Sequence, residues 1–205
     1  MRGKFVTIEG CEGVGKSTLI KKLKEYFSQH NIDAVFTREP GGTVISEKLR
    51  EIIIDPNHTE MDEMTELLLY AAARRQHTAE FIDKALDEGK IVFCDRYIDS
   101  TTVYQGEARG ISFETINMLN SLCMGNTKID VTVFLDLSPE KGFERKGGRD
   151  GSRIENETFE FHKKVYAGYK KLQSKESRFM GIDASESADE VFAEVISGLK
   201  KRNII

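Results

Sequence analysis

The hydrophobic residues of this chain fall into two patterns that alternate from one end to the other. Short continuous apolar runs at residues 5–8, 34–37, 91–94, 131–135 and 179–182 are typical of buried strands. Between them, apolar residues return every three or four positions, which predicts helices over about 17–30, 43–55, 62–88, 112–125 and 188–201. Strands that are apolar on both faces and alternate with helices predict an α/β fold. We expect a five-stranded parallel sheet with helices on both faces.

Residues with strong preferences for helix ends support these boundaries. Thr43 is suited to cap the second helix, Pro56 disfavours its continuation, and Gly89 is a suitable C-terminal cap for the long third helix. No internal repeat, low-complexity segment or linker divides the chain. A length of 205 residues therefore predicts a single domain over residues 1–205.

Composition and charge narrow the class of protein. Hydrophobic residues make up 39% of the chain and charged residues 31%, which excludes a disordered chain. No apolar run approaches the roughly 20 residues that span a bilayer, and we expect no signal peptide. Because the net charge is −4 and no basic stretch is dense, we expect neither nucleic acid nor a membrane as partner. The three cysteines, Cys11, Cys94 and Cys123, form no C-x-x-C pair, which fits packing residues in a reducing, cytoplasmic location.

A glycine-rich segment between the first strand and the first helix matches the pattern G-x-x-x-x-G-K-[ST]. Such glycines let backbone N–H groups converge on an anion at a helix N-terminus, where the helix dipole also favours negative charge. Lys16 adds a positive charge, and the Ser17 hydroxyl is suited to hold Mg²⁺. Because a predicted strand precedes the motif and a predicted helix follows it, the motif predicts a nucleoside triphosphate site and a P-loop NTP hydrolase-like fold. The predicted ATP-binding residues are Gly10, Cys11, Glu12, Gly13, Val14, Gly15, Lys16, Ser17 and Thr18.

A second phosphate-related feature lies at the end of the third strand. Asp95 there resembles the Walker-B aspartate, which reaches the Mg²⁺ ion or its waters from the strand beside the P-loop. Asp136 ends the fourth strand in a similar way and competes for this role. We favour Asp95 because Arg96 follows it, so that a carboxylate for metal and a guanidinium for phosphate are adjacent at a strand's carboxyl end.

The segment at about 145–154 interrupts the alternation of strands and helices. It has three glycines and four basic residues and almost no apolar side chain, so it cannot bury itself. One interpretation is a solvated connector between two helices. In a chain that binds a polyphosphate, we favour the other interpretation, a short mobile lid that closes over the phosphates with Arg149 and Arg153.

The P-loop alone does not choose among GTPases, ATPases and small kinases. The Asn126…Asp130 stretch has one residue too many to match the Asn-Lys-x-Asp guanine reader of GTPases. A small kinase needs an acceptor phosphate site and a lid, and the sequence has candidates for both. A kinase with another acceptor and a nucleotide-dependent regulatory ATPase both remain alternatives at this point.

Three further motifs carry a close resemblance to the thymidylate kinases. They are the run Arg38-Glu39-Pro40-Gly41-Gly42-Thr43, the run Asp95-Arg96-Tyr97 with Ser100 and Tyr104-Gln105-Gly106, and the basic lid followed by Arg153-Ile154-Glu155. The match covers nearly the whole chain in the right order. The resemblance implies a homodimer with a five-stranded parallel sheet. It also implies transfer of the γ-phosphoryl group from ATP to dTMP with Mg²⁺, which gives dTDP for dTTP synthesis.

The resemblance also implies roles for individual residues. Lys16 and the loop backbone would hold the ATP phosphates, Ser17 and Asp95 the metal, and Glu12 would face the sugar or phosphate side of dTMP. Tyr70, where the family commonly has Phe, would stack on the thymine, and Arg74 would donate to a base carbonyl from the same helix face. Tyr104 would lie against the sugar C2′. The implied dTMP site comprises Glu39, Gly42, Tyr70, Arg74, Arg96, Ser100, Thr101, Tyr104 and Gln105.

The source of the transition-state cation is the last inference from the sequence. Some thymidylate kinases have a basic residue in the variable part of the P-loop, whereas Cys11, Glu12, Gly13 and Val14 supply none here. We therefore expect the type that uses a lid arginine. Arg153 is the stronger candidate, because it adjoins the start of the next helix, and Arg149 is the auxiliary clamp.

Overall fold

The computed structural model describes residues 2–147 and 152–205. Its centre is a five-stranded sheet of order β2-β3-β1-β4-β5, in which every pair of neighbours is parallel. All five strands occur where the apolar runs predict them, so the predicted α/β fold is confirmed. The strands are β1 (Phe5–Glu9), β2 (Ala34–Arg38), β3 (Ile91–Asp95), β4 (Val131–Asp136) and β5 (Phe179–Asp183).

Helices connect the strands, and most of them match the predicted spans. The long predicted helix is continuous, but its middle turn, Thr78–Ile82, is π-helical. The sequence did not predict the helical stretch after β3, because its buried residues include polar ones that face the site and its spacing is π-helical. The helices are α1 (Lys16–Gln29), α2 (Val44–Ile54), α3 (Glu63–His77), α4 (Asp83–Asp87), α5 (Ile98–Thr101) with the π-helical Thr102–Ala108, α6 (Phe113–Met124), α7 (Pro139–Lys146), α8 (Phe159–Lys175) and α9 (Ala188–Lys201).

The helix ends are set by the residues that the sequence suggests. The Thr43 side chain accepts a hydrogen bond from the Ser46 backbone N–H at 3.3 Å, which caps α2. Gly89 has φ of +83° just after α4, a left-handed conformation that suits glycine. In the described part of the chain, no helix combines the length and apolar character needed to cross a membrane.

The core lies on both faces of the sheet. Side chains alternate between the two faces along each strand. Val6 and Ile8 therefore pack with Leu23 of α1, while Phe5 packs on the opposite face with Ile82 and its neighbours. All of these side chains are buried. This packing on both faces explains why the strands read as continuous apolar runs.

The carboxyl ends of the central strands bring the predicted site residues together. The Arg96 N–H donates to the Ile8 carbonyl at 3.0 Å, and the Glu39 N–H donates to the Asp95 carbonyl at 2.9 Å. The loops that follow β1, β2 and β3 are therefore fixed side by side at one edge of the sheet. Ligands bind at this edge in open α/β sheets.

Candidate active site

The loop between β1 and α1 has the conformation of a phosphate cradle. Gly10, Gly13 and Gly15 all have positive φ, at +146°, +72° and +98°. A Cβ atom on Gly13 would collide with the Gly142 backbone, so this position requires glycine. Lys16 Nζ donates to the carbonyls of Gly10 and Cys11 at 3.1 and 2.9 Å, and thus lies over its own loop.

Arg96 connects this loop to the neighbouring cavity. Its guanidinium forms an ion pair with Glu12, donates to the Gly10 carbonyl at 3.2 Å, and lies over the Tyr104 ring at 5.3 Å from the centroid. Burial disfavours the charged Glu12 carboxylate, but the nearby Arg96 and Lys16 outweigh it and lower the pKa of Glu12. Arg96 has φ of +68°, which is uncommon outside glycine, so the fold holds this side chain in a particular direction.

The two candidate metal carboxylates have different surroundings. Asp95 Oδ1 is buried and has no hydrogen-bond partner among the described residues. Asp136 accepts a hydrogen bond from Tyr166 Oη at 2.9 Å and pairs with Lys170 Nζ at 2.6 Å. Asp95 is therefore the carboxylate with an unused ligand atom. Within residues 2–147 and 152–205, no group of three or more His, Cys, Asp or Glu side chains is arranged to hold a metal ion.

A cavity beside the P-loop collects all but one of the residues predicted to bind the acceptor. Gly42 is the exception: its N–H donates to Glu47 Oε1 at 2.8 Å, and a Cβ atom at this position would collide with His77. The cavity is lined by Glu12, Glu39, Pro40, Arg50, Ile54, Tyr70, Arg74, Arg96, Ser100, Thr101, Tyr104, Gln105, Ser152, Ile154 and Glu155.

Arg74 is the most heavily bonded side chain in the cavity wall. Its Nε donates to Glu39 Oε2 at 2.7 Å, and its Nη1 donates to Thr101 Oγ1 at 2.8 Å and to Asn120 Oδ1 at 3.1 Å. Nη2 donates to the Tyr97 carbonyl at 3.1 Å, so one of the five guanidinium N–H groups has no partner within the described part of the chain.

Glu39, which the family resemblance places in the dTMP site, has both carboxylate oxygens engaged. Its Oε2 accepts from Arg74, and its Oε1 lies 3.1 Å from His77 Nδ1. The side chain is only 3% exposed. Its visible effect is to hold Arg74 in the cavity wall.

Arg153, expected over the phosphates, is bound elsewhere in this structure. Its Nη2 donates to Glu66 Oε2 at 2.6 Å and its Nε donates to the Ile53 carbonyl at 3.2 Å. Among the described residues, none of the P-loop atoms is bonded to it. Arg149, the other lid arginine, lies outside the described residues, as does the rest of the 148–151 stretch of the predicted lid.

Sequence reasoning missed Arg50, which lines the cavity, and Glu66, which bonds to the lining residue Gln105. Arg50 donates to the Pro40 carbonyl at 2.8 Å and adds a half-buried cation to the wall, where burial and nearby Arg38 lower its pKa. Glu66 is 1% exposed and accepts hydrogen bonds from Gln105, Arg109 and Arg153. Arg50 on α2 and Glu66 on α3 lie among other charged residues, so the sequence pattern does not distinguish them. A buried carboxylate is visible only once the fold is known.

Glu9, the last residue of β1, was also missed. Its carboxylate accepts from the Tyr97 N–H at 2.8 Å and from the hydroxyls of Ser100 and Tyr169, both at 2.7 Å. Burial, together with nearby Asp99, raises the pKa of Glu9 to about 7. Glu9 thus fixes the turn that carries Arg96. Its position directly before Gly10 was the available sequence signal.

A second cavity also borders the P-loop. It is bordered by Gly13, Gly15 and Thr18 of the loop and α1, and by Arg145. Arg145 donates to the carbonyls of Ala184 and Ser185 at 2.7 and 3.2 Å, so it is anchored after β5. This open cavity therefore adjoins the phosphate cradle.

Comparisons with known proteins agree on one family. The family model described as thymidylate kinase matches residues 8–195. The thymidylate kinase of Clostridium novyi (strain NT) is 44% identical over 203 residues, covering 97% of this chain and 99% of the relative. That of Desulforapulum autotrophicum is 46% identical over 207 residues, covering 97% and 91%. A crystal structure of thymidylate kinase from Ehrlichia chaffeensis superposes with a TM-score of 0.79 at 32% identity and covers 98% of this chain and 99% of that one.

Proposed function

Because this chain belongs to the thymidylate kinase family and phosphorylates dTMP to dTDP in dTTP synthesis, we propose that ATP is its phosphoryl donor and Mg²⁺ its metal. ATP binds at the P-loop and the second cavity, and dTMP binds in the cavity lined by Tyr70 and Arg74. The observation that carries this proposal is Arg96, which contacts both the P-loop and the acceptor cavity. We further propose that residues 1–205 act as one domain.

The proposed mechanism asks for position and charge rather than covalent participation of the protein. An oxygen of the dTMP phosphate attacks the γ-phosphorus in line, and the bond from that phosphorus to the oxygen bridging it to ADP breaks. No general base is needed, because a phosphate monoester is mostly ionised at neutral pH. The main barrier is the approach of two anions, which Lys16 and Arg96 offset from the two sides.

The donor site is built from the loop backbone and its flanking side chains. We propose that Lys16 exchanges the carbonyls of Gly10 and Cys11 for ATP phosphate oxygens. The unpartnered oxygen of Asp95 and the exposed hydroxyl of Ser17 fit a Mg²⁺ site, since magnesium prefers oxygen ligands and retains several waters. When bound, the metal supplies positive charge that offsets the charge of the phosphates.

The acceptor site combines an aromatic wall with polar groups at its end. Tyr70 is half-buried at the cavity, where burial and nearby Glu66 raise its pKa to about 12, so its ring is neutral at physiological pH. We propose that this ring stacks on thymine and that the remaining N–H of Arg74 donates to a base carbonyl. Tyr104, held under Arg96, borders the sugar. Arg96 and Arg50 are the cations nearest the acceptor phosphate.

Arg153, the lid arginine within the described residues, is bonded to Glu66 and to the Ile53 carbonyl. The ion pair with Glu66 holds Arg153 on the acceptor side of the cavity. We retain the proposal of a lid arginine at the phosphates. One arrangement is that Arg153 leaves Glu66 and contacts the phosphates when the lid closes. The other is that Arg149 supplies the positive charge at the phosphates while Arg153 anchors the lid.

We also propose that the enzyme is a homodimer. Several large apolar side chains on α2, α3 and α6 are exposed, including Leu68 at 50%, Met118 at 56% and Leu122 at 65%. An apolar surface of this kind is typical of an interface between subunits. Sedimentation should show a dimer that Leu68→Glu with Leu122→Glu converts to monomer, while Phe159→Glu on α8 does not. A monomeric parent protein contradicts the proposal.

The free, buried cysteines support a cytoplasmic location.

The donor and metal assignments are tested by following dTDP and ADP together. We expect dTDP formation with ATP and Mg²⁺, loss of turnover after chelation of the metal, and recovery when Mg²⁺ is returned. A panel of nucleoside triphosphates and monophosphates measures the preference for each substrate. ADP release without dTDP formation, or full activity without a divalent metal, would refute this part of the proposal.

A further inference from the structure

Glu66 occupies an unusual place for a carboxylate. It lies on α3 one helical turn before Tyr70, it is 1% exposed, and both of its oxygens accept hydrogen bonds. Oε1 accepts from Gln105 Nε2 at 2.7 Å, and Oε2 accepts from Arg109 at 3.1 Å and Arg153 at 2.6 Å. The two guanidinium groups offset the charge of the buried carboxylate. A buried charge is tolerated when it is paired in this way.

We propose that Glu66 is a positioning residue for base recognition, which fixes the side-chain amide of Gln105 so that its carbonyl oxygen faces the base. The inference rests on the acceptor cavity proposed above. A side-chain amide can present either its NH₂ group or its oxygen, and its neighbours decide which. An ionised carboxylate only accepts hydrogen bonds, so the NH₂ group of Gln105 must point to Glu66.

With its NH₂ group directed to Glu66, the Gln105 amide presents its carbonyl oxygen as a hydrogen-bond acceptor on the other side. Gln105 lines the cavity, and its Oε1 has no hydrogen-bond partner within the described part of the chain. Arg74, across the cavity wall, has one N–H left as a donor. Thymine presents a donor at N3 and an acceptor at O4, which complements an acceptor from Gln105 and a donor from Arg74. Cytosine presents an acceptor at N3 and an amino group at C4, the reverse pattern.

The predicted consequence is a change in base discrimination. A matched pair of substrates is dTMP and 5-methyl-dCMP, since they share the methyl group, sugar and phosphate and differ only at N3 and C4. Glu66→Gln replaces an obligate acceptor with an amide that offers either a donor or an acceptor, so Gln105 loses its fixed direction. We expect the ratio of kcat/KM for dTMP to that for 5-methyl-dCMP to fall by about tenfold or more.

The ratio separates base recognition from other effects of losing the carboxylate. Glu66→Gln also removes the charge partner of Arg109 and Arg153, which is expected to lower stability and alter the lid. A change in stability or in the lid affects both substrates alike, so it largely cancels in the ratio of their kcat/KM values. Arg109→Met removes one guanidinium from Glu66 and leaves Gln105 in place. It should keep the ratio within about twofold, and Glu66→Asp, which still only accepts, should retain most of the discrimination.

Gln105→Ala distinguishes failure of this inference from failure of the proposed cavity. If Glu66 acts through Gln105, Glu66→Gln should change the ratio little further in the Gln105→Ala background. Unchanged dTMP kinetics in Gln105→Ala would refute the cavity itself. Loss of dTMP use in Gln105→Ala, with an unchanged ratio in Glu66→Gln, would refute only the positioning role. Melting curves for each variant establish that the kinetics come from folded protein.

Discussion

Removal of the Arg74 guanidinium should reveal how strongly the acceptor cavity depends on one buried ion pair. The side chains of Arg74 and Glu39 are 2% and 3% exposed, and their closest atoms are 2.7 Å apart. Arg74→Met retains most of the apolar stem, so the change removes charge and hydrogen bonds rather than volume. It leaves the Glu39 carboxylate buried beside His77 without the guanidinium that paired with it.

The magnitude follows from the cost of an unpaired buried charge. Removing one partner of a buried ion pair typically destabilises a protein by about 3–5 kcal/mol. Total stabilities are about 5–15 kcal/mol, so the loss is a large fraction of the whole. Arg74→Met with Glu39→Gln removes the stranded charge and should recover at least about 1 kcal/mol of the loss. Lys163→Met breaks an exposed pair with Glu160 and should lower stability far less than Arg74→Met.

Urea unfolding followed by circular dichroism measures these differences, and steady-state kinetics on the folded variant measure the functional part. For Arg74→Met we expect kcat/KM for dTMP to fall by about 10- to 150-fold while the KM for ATP is nearly unchanged. A loss of stability below about 1 kcal/mol would refute the argument from buried charge. An equal loss toward ATP would instead show that Arg74 does not belong to the base site.

Three further predictions concern other parts of the site. Lys16→Ala should abolish dTDP formation without lowering the melting temperature, and turnover like that of the parent would contradict the P-loop assignment. Measured separately, Arg149→Ala and Arg153→Ala should identify the transition-state cation by a loss of about 10³-fold in kcat, and a few-fold loss in both would mean that the lid is only a cover. The pKa of Glu9 is raised from the ordinary value of 4.5 to about 7, so the folded chain holds this proton more tightly than the unfolded chain. The stability gained in this way is fully present below pH 4.5 and is lost as pH rises to about 7. Relative to Glu9→Gln, the parent protein should lose about 2–3 kcal/mol in urea unfolding between pH 5 and 8, and parallel pH profiles would contradict this.

The sequence by itself determined the sheet, most of the helices and the P-loop, because each depends on neighbours along the chain. A buried strand is a continuous apolar run, and the caps at Thr43 and Gly89 depend on one residue's own geometry. The same holds for the placement of Asp95 and Arg96 at the end of β3, because a parallel sheet brings all carboxyl ends to one edge. The resemblance to the family then supplied most of the residues that line the acceptor cavity.

The tertiary structure decided which charged groups meet. Arg153 pairs with Glu66, 87 residues away in the sequence, and Arg74 pairs with Glu39, 35 residues away. No local pattern encodes such a choice, because any carboxylate within reach is an acceptable partner for a guanidinium. The choice follows from which helices and loops the packed sheet brings together, and from the cost of leaving either charge buried alone. For that reason, the roles of Glu9, Glu39 and Glu66 became visible only in the folded chain.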